Sequence, residues 1–198
     1  MNSVDTQYNM TTQQQFEQAI ALCRDIFVKK MYDYGTAWRV LRIPSLTDQI
    51  YIKANRIRSL QTKGVSKVGE GIVPEFIAIV NYAIMGLIQL ELGVADGTNK
   101  DDLHDERMAE VYDKQVEAAL QLMLRKNHDY DEAWRLMRVS SYVDFILTKV
   151  FRTKQIEEHE GNTLVSEGID ANYLDMLNYA IFAIIKLEVE KSEQNAEK

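Results

Sequence analysis

The chain has 198 residues, one cysteine and a formal net charge of −7 at pH 7. Binding to a nucleic-acid backbone requires a basic surface, so this acidic composition argues against direct contact with the DNA or RNA backbone. A single cysteine leaves neither a disulfide framework nor a thiol-rich metal site. The N-terminus is polar, and no apolar run approaches the roughly 20 residues of a membrane span. We therefore expect a cytoplasmic protein without a membrane segment.

Helix-forming residues dominate the chain, which contains only two prolines and nine glycines. This composition favours an all-α protein over one built from strands and turns. Apolar residues at helical spacing predict a first helix over about residues 12–31, with Thr12 and Gln15 as its capping box. The predicted helices start at residues that favour helix N-termini: Thr12, Ser45 and Pro74 in the first half, and Asp102, Ser141 and Glu167 in the second.

The second half of the chain repeats the first. Residues 33–56 aligned on 129–152 give 11 identities in 24 positions, and 70–91 aligned on 167–188 give 10 in 22. The offset of 96 or 97 residues is far longer than a solenoid repeat of about 20–50. We predict a tandem duplication in which two three- to four-helix units form a pseudo-two-fold bundle with their last helices together. The predicted division is repeat 1 over 1–93, a linker over 94–104, repeat 2 over 105–191 and a tail over 192–198.

The two copies differ in the acids of their last helix. Asp170 and Asp175 in copy two align with Val73 and Ala78 in copy one. This difference predicts an acidic site that is retained in copy two and degenerate in copy one.

Acids of that last helix share one face at about 100° per residue. Clustered carboxylates repel each other unless a cation neutralises them, and such hard oxygen ligands suit Mg²⁺ or Mn²⁺. We predict a bound Mg²⁺ or Mn²⁺ ion with these ligands: Glu167, Asp170, Asp175 and, from the preceding helix, Asp144. For Glu167 and Asp170 the alternative is a solvated helix start, where acids complement the helix dipole.

An acid and two bases recur at the same spacing on the second helix of each copy: Asp48, Lys53 and Arg56 in copy one, and Asp144, Lys149 and Arg152 in copy two. The pattern is compatible with a phosphate clamp and with a buried ion network. Because each aspartate follows a serine by three residues, helix capping also explains the aspartates. Capping does not use the lysines and arginines.

Aromatic residues follow the first helix of each copy. Trp38 and Trp134 are expected to be core anchors rather than platforms for stacking on a base. The neighbouring Asp-Tyr pairs, at 33–34 and 129–130, are compatible with the wall of a site.

Several segments of copy two form one recognisable pattern: Lys126-Asn127-His128-Asp129-Tyr130, Ala133-Trp134-Arg135, Asp144 with Lys149 and Arg152, Glu167-Gly168-Ile169, Asp175 and Asn178-Tyr179-Ala180. Together they resemble the nucleotide modification associated domain, type 1, a family of phages and bacteria that includes tandem-copy proteins. The resemblance covers nearly the whole chain. More distantly, the pattern is similar to all-α nucleoside triphosphate pyrophosphatases of the MazG and dimeric dUTPase type, helical bundles that bind Mg²⁺ through acids on two helices.

The resemblance implies a nucleotide-binding protein, and one hypothesis is a Mg²⁺-dependent nucleoside triphosphate pyrophosphohydrolase. The alternative is a non-catalytic helical module that binds a nucleotide or a partner protein. The expected ligand is a nucleotide or another small phosphorylated molecule, and a homo-oligomer is a further expectation. We expect the ligand to meet these residues of copy two: Lys126, Asp129, Tyr130, Trp134, Arg135, Lys149, Arg152 and Asn178. The equivalents of the predicted site residues in copy one are Asp33, Tyr34, Trp38, Asp48, Lys53, Arg56, Glu70 and Asn81.

Overall fold

A computed structural model describes residues 10–64, 71–98 and 106–192 of the chain. Within these ranges it contains six α-helices and no β-strand: α1 (Thr12–Tyr34), α2 (Ile43–Lys63), α3 (Val73–Leu92), α4 (Met108–Tyr130), α5 (Val139–Glu158) and α6 (Ile169–Ile184). Short 3₁₀ turns, Ala37–Val40 and Ala133–Leu136, follow α1 and α4. A π-helical segment, Ile185–Val189, continues α6. The all-α prediction is confirmed.

The predicted helix starts are partly wrong. The capping box of α1 is formed by Thr11 and Gln14, one residue before the predicted pair. The helices α2 and α5 begin two residues before the serines expected to cap them, and neither has a side-chain cap. In α2, Pro44 occupies the first turn, where its fixed φ and missing N–H suit a helix start. The helix α4 begins at Met108 rather than near Asp102, which lies outside the described residues.

The two last helices, α3 and α6, pack against each other at the centre of the bundle. They are the most apolar helices, and each also packs against the second helix of its own copy. Gly86 of α3 allows a close approach, since a Cβ there would lie 2.6 Å from the ring of Tyr173 on α6. The prediction that the last helices pack together is confirmed.

Reciprocal contacts connect α2 of copy one with α5 of copy two. Arg58 pairs with Asp144 at 2.5 Å, and the residue aligned with Arg58, Lys154, pairs with Asp48 at 2.5 Å. Such exchanged partners are the sign of a two-fold relation between two copies. The pairs lie at the surface, where ion pairs contribute at most about 1 kcal/mol each.

One helix bears on the expectation that the chain has no membrane segment. Among the described residues, α3 is long and apolar enough to cross a bilayer, although no such stretch was predicted. However, 67% of its most apolar stretch is buried inside the protein, which is typical of the core helix of a soluble protein.

Candidate functional site

Each copy has a cavity bordered by its 3₁₀ turn. The repeat-1 cavity, of about 450 Å³, lies between α1, α2, α3 and the first 3₁₀ turn. The repeat-2 cavity, of about 330 Å³, lies between α4, α6 and the second turn. Aligned residues line both: Lys30 and Lys126, Tyr34 and Tyr130, Trp38 and Trp134, Asn81 and Asn178, and Tyr82 and Tyr179. The duplication has therefore produced two versions of one cavity.

The repeat-1 cavity contains one buried carboxylate and three cations. Glu75 is 3% exposed, and its Oε1 accepts a hydrogen bond from Arg56. The ammonium of Lys53 lies 3.2 Å from Oε2 without forming a hydrogen bond, so this contact is coulombic only. Lys30 supplies the third cation of the wall. Among the described residues of its wall, this cavity has two more cations than carboxylates, in a protein of net charge −7.

The repeat-2 cavity also contains a buried carboxylate, at a different helix position. Asp175 is 7% exposed, and its two oxygens lie 2.5 Å from Lys126 Nζ and 2.6 Å from Lys149 Nζ. The residue of copy one that aligns with Asp175 is Ala78, three positions after Glu75. Copy one therefore has not lost its acid, and the prediction of a degenerate acidic site there needs correcting. Its acid lies one turn earlier on the helix.

The predicted metal ligands are not brought together. Asp144 is exposed and paired with Arg58, and Glu167 and Asp170 are exposed. The carboxylate of Asp175 forms ion pairs with two lysines. The face argument treated Glu167 as helical, but α6 begins only at Ile169. In the part of the chain that the structure describes, no group of three or more His, Cys, Asp or Glu residues could hold a metal ion. A resident Mg²⁺ or Mn²⁺ does not fit this donor set.

The acids and bases of the second helices have four different roles or positions. Lys53 and Arg56 enter the repeat-1 cavity, and Lys149 neutralises Asp175. Capping does not explain Asp48 and Asp144, since they form the exposed ion pairs between copies. The aligned base Arg152 lies away from both equivalent cavities: it lines a third one, of about 770 Å³, between α5 and the loop that follows.

Trp134 is a core residue, as predicted. It is buried and stacks on Phe182 with ring centroids 4.3 Å apart, and the guanidinium of Arg135 lies 4.4 Å from its centroid. Arg135 bonds to Glu132, and to Thr12 and Gln15 of copy one, which connects the two copies rather than lining a cavity.

Of the other predicted site residues, some line a cavity and others do not. Trp38 is half-buried and lines the repeat-1 cavity. Asp33 and Asp129 are exposed outside both cavities. Glu70 lies outside the described residues.

Aligned asparagines show a second difference between the copies. The amide of Asn81 donates to the Cys23 carbonyl at 3.0 Å, and its Oδ1 accepts from the Tyr112 hydroxyl at 2.8 Å. Burial raises the pKa of Tyr112 well above its usual range, so the hydroxyl keeps the proton that it donates. The amide of Asn178 donates to Ala119, which aligns with Cys23, at 3.2 Å. Its Oδ1 is buried without a partner, as is Nε1 of Trp134.

Sequence reasoning missed three residues: Glu75 and Lys30, which line the repeat-1 cavity, and Tyr112, which bonds to Asn81 of its wall. Glu75 aligns with Asn172, so a comparison of acids position by position did not mark it. Lys30 and Tyr112 belong to first helices, where neither breaks the helical pattern. A search for a charged residue inside the apolar run of α3 would have found Glu75.

The family model of the nucleotide modification associated domain 1 matches residues 30–90 and 126–187. The chain belongs to this family. The two matched segments coincide with the two copies, which supports the duplication, and each includes most residues of one cavity. No curated protein and no solved structure matches the chain. The likeness of this family member to MazG-type pyrophosphatases therefore stays a prediction.

Proposed function

We propose that the repeat-1 cavity binds a nucleotide. The observation that carries this proposal is the group of three cations in a cavity of an acidic protein: Lys30, Lys53 and Arg56. Among the described residues of the wall they accompany one carboxylate, that of Glu75. The family's description associates it with nucleotide modification, which favours a nucleotide over other phosphorylated molecules. A volume of about 450 Å³ falls within the range of small-molecule sites, about 300–1,000 Å³.

Phosphate groups are the part of the ligand that these cations suit. Lys53 has three donors and only a coulombic contact with Glu75, so it retains hydrogen bonds for a ligand. Arg56 presents a planar fork that matches phosphate geometry, and Glu75 holds that fork in place. The exposed side chain of Lys30 lines the same cavity from α1. A phosphate chain between α1 and α2 would meet all three cations.

The base would occupy the aromatic part of the same cavity. Tyr34, Trp38 and Tyr82 line it, and stacking of a base on an aromatic ring contributes about 1–3 kcal/mol. Tyr34 is 55% exposed, so its ring is accessible to a ligand that enters from solvent. Phosphates near α2 and a base near the 3₁₀ turn would fill the cavity in one orientation.

Binding is the function that this geometry supports best. Glu75 is already paired with Arg56 and Lys53, and the predicted Mg²⁺ ligands of copy two are dispersed. A pyrophosphohydrolase would therefore need a metal ion that arrives with the phosphates of the nucleotide. Hydrolysis stays a hypothesis, which a screen of nucleoside triphosphates for pyrophosphate release tests directly.

Titration calorimetry with ATP, with and without Mg²⁺, tests the binding proposal. We expect Lys30→Ala to weaken ATP binding by about 1.5–3 kcal/mol, the loss of a charge-assisted hydrogen bond. Lys30 is exposed and has no ion pair among the described residues, so the fold should be unaffected. The matched control is Lys29→Ala, whose ammonium pairs with Asp25 outside the cavity. ATP that does not bind, or equal losses in both variants, would overturn the proposal.

A second pair of variants compares the two copies. Lys53→Met and Arg152→Ala each remove one cation from a second helix, but only Lys53 lines the repeat-1 cavity. We expect Lys53→Met to weaken ATP binding and Arg152→Ala to leave it unchanged. If Arg152→Ala weakened ATP binding and Lys53→Met did not, the phosphate site would lie in copy two.

A further inference from the structure

Two side-chain atoms in residues that line the repeat-2 cavity have no hydrogen-bond partner. They are Nε1 of Trp134, a donor, and Oδ1 of Asn178, an acceptor. Trp134 is 5% exposed and Asn178 is 6% exposed, and neither unpartnered atom is accessible to water. Buried polar atoms nearly always have partners, so a donor and an acceptor left over at one cavity require an explanation.

Copy one shows that the fold itself does not leave the asparagine oxygen without a partner. The aligned Asn81 has both ends of its side chain bonded, because Tyr112 of α4 donates to its Oδ1. The residue that aligns with Tyr112 is Phe16, which has no hydroxyl. Copy two therefore lacks the one group that would complete the same network. The free oxygen is a property of this copy and not of the architecture.

The charges of the repeat-2 cavity do not suit a phosphate. Lys126 and Lys149 both contact the carboxylate of Asp175, at 2.5 and 2.6 Å. Two ammonium groups around one carboxylate leave less positive charge than the three cations of the repeat-1 cavity, and both are already engaged. The two unpartnered atoms, an indole N–H and an amide oxygen, are neutral.

We propose that the repeat-2 cavity binds an uncharged heterocycle of the nucleobase or nucleoside class. An acceptor on the ligand would take the Nε1–H of Trp134, and a donor on the ligand would bond to Oδ1 of Asn178. Nucleobases carry donors and acceptors on one ring, which is the combination that these two atoms require. The volume of about 330 Å³ is near the lower end of small-molecule sites and suits a ligand without a phosphate chain.

The aromatic side chains determine how such a ligand lies. The ring of Trp134 is already stacked on Phe182 and covered by Arg135, so it offers the ligand its edge. Tyr130 is 70% exposed at the same cavity, and Tyr179 lines its wall. The heterocycle packs against these tyrosines and points its polar edge towards Trp134. Small shifts of the wall accompany binding, because both unpartnered atoms are covered in the free protein.

The indole N–H signals provide a direct test, since the chain has only two tryptophans. In an ¹⁵N-¹H correlation spectrum, Trp38→Phe identifies which of the two indole peaks belongs to Trp134. Titration with adenosine, guanosine, cytidine and uridine should move the Trp134 peak downfield for at least one nucleoside, as its N–H gains an acceptor. If all four nucleosides leave the Trp134 peak in place, or move only the Trp38 peak, the proposal is wrong.

Affinities measured on variants provide the second arm. Trp134→Phe keeps a ring but removes the N–H, so we expect binding of the responding nucleoside to weaken about tenfold. The control Tyr32→Phe, at an exposed position that lines neither cavity, should leave that affinity unchanged. Should Trp134→Phe fail to fold, Phe16→Tyr replaces it, because a hydroxyl supplied to Asn178 competes with the ligand and should also weaken binding. Unchanged affinity in these variants would overturn the assignment.

This inference stands apart from the nucleotide proposal for copy one, because it concerns another cavity and a ligand without phosphate. ATP binding that depends on Lys30 but no nucleoside signal from Trp134 would remove only the repeat-2 site. A nucleoside signal from Trp134 without ATP binding would remove only the repeat-1 site.

Discussion

The two cavities differ in where their buried acid lies and in how completely that acid is neutralised. Among the described residues, Glu75 shares the repeat-1 cavity with three cations, whereas Asp175 of the repeat-2 cavity has one lysine on each oxygen. The aligned asparagines also differ. Both ends of the Asn81 side chain have a hydrogen-bond partner, whereas Oδ1 of Asn178 has none. The same helical framework therefore presents cations to a ligand in the first copy and neutral polar atoms in the second.

The largest expected effect concerns the acid of copy two. Asp175→Ala leaves Lys126 and Lys149 facing each other without their shared carboxylate. Breaking a buried ion pair costs about 3–5 kcal/mol, and we expect the low end because Lys126 is half-exposed. Urea unfolding measures the loss of free energy. The control Asp170→Ala, at an exposed position of the same helix, should change stability by less than about 0.5 kcal/mol. Equal losses in both variants would instead support the predicted metal site, to which both aspartates would contribute.

A smaller effect is expected from the asparagine network of copy one. Tyr112→Phe removes the hydroxyl that bonds to Asn81 and leaves Oδ1 buried without a partner. We expect the protein to lose about 1–3 kcal/mol of unfolding free energy. Copy one would then resemble copy two at this point. A stability unchanged in urea unfolding would show that the difference between the asparagines has no energetic weight.

The converse substitution should have the opposite sign. Phe16→Tyr places a hydroxyl at the position aligned with Tyr112, where Asn178 has a free acceptor. We expect a gain of about 1 kcal/mol, the net value of a typical buried hydrogen bond. Thermal unfolding measures it as a rise in Tm. A fall in Tm would mean that the wall around residue 16 has no room for the hydroxyl, and that the copies pack differently there.

The smallest effect concerns the turn that borders each cavity. Copy one ends α1 at Gly35, with φ of 63°, while copy two has Asp131 and Glu132 at φ of 49° and 54°. Glycine adopts positive φ without a steric penalty, so Asp131→Gly should stabilise the protein by about 0.5–1 kcal/mol. Gly35→Ala should destabilise it by a similar amount. Chemical unfolding of both variants compares the two turns, and changes of the same sign would contradict the comparison.

Much of the fold could be predicted because it depends on local patterns. The predicted start at Pro74 lies within one residue of the start of α3, and the duplication correctly predicted that the last helices pack together. The helix starts failed where Pro44 favoured an earlier first turn than Ser45. A capping rule based on serine alone does not consider that proline favours the first turn of a helix.

The candidate sites were harder to predict because burial and partners depend on contacts between distant segments. Lys53 and Arg56 were identified, but their partner Glu75 was not, since it aligns with an amide in copy two. Asp175 was correctly judged unusual, but its lysines come from α4 and α5, and that neutralises it without a metal ion. Neither the free Oδ1 of Asn178 nor the bonded one of Asn81 can be inferred from sequence alone.

The contact between α3 and α6 also bears on how the two cavities came to differ. In a dimer of identical single-copy chains, the same central contact would join two copies of one sequence, and every substitution would alter both cavities at once. In the fused chain the partner is always present at a high effective concentration, so pairing no longer depends on the amount of protein. Each substitution now changes one cavity only. The shared helix pair therefore supports both copies while one cavity keeps its excess of cations and the other its unpartnered neutral atoms.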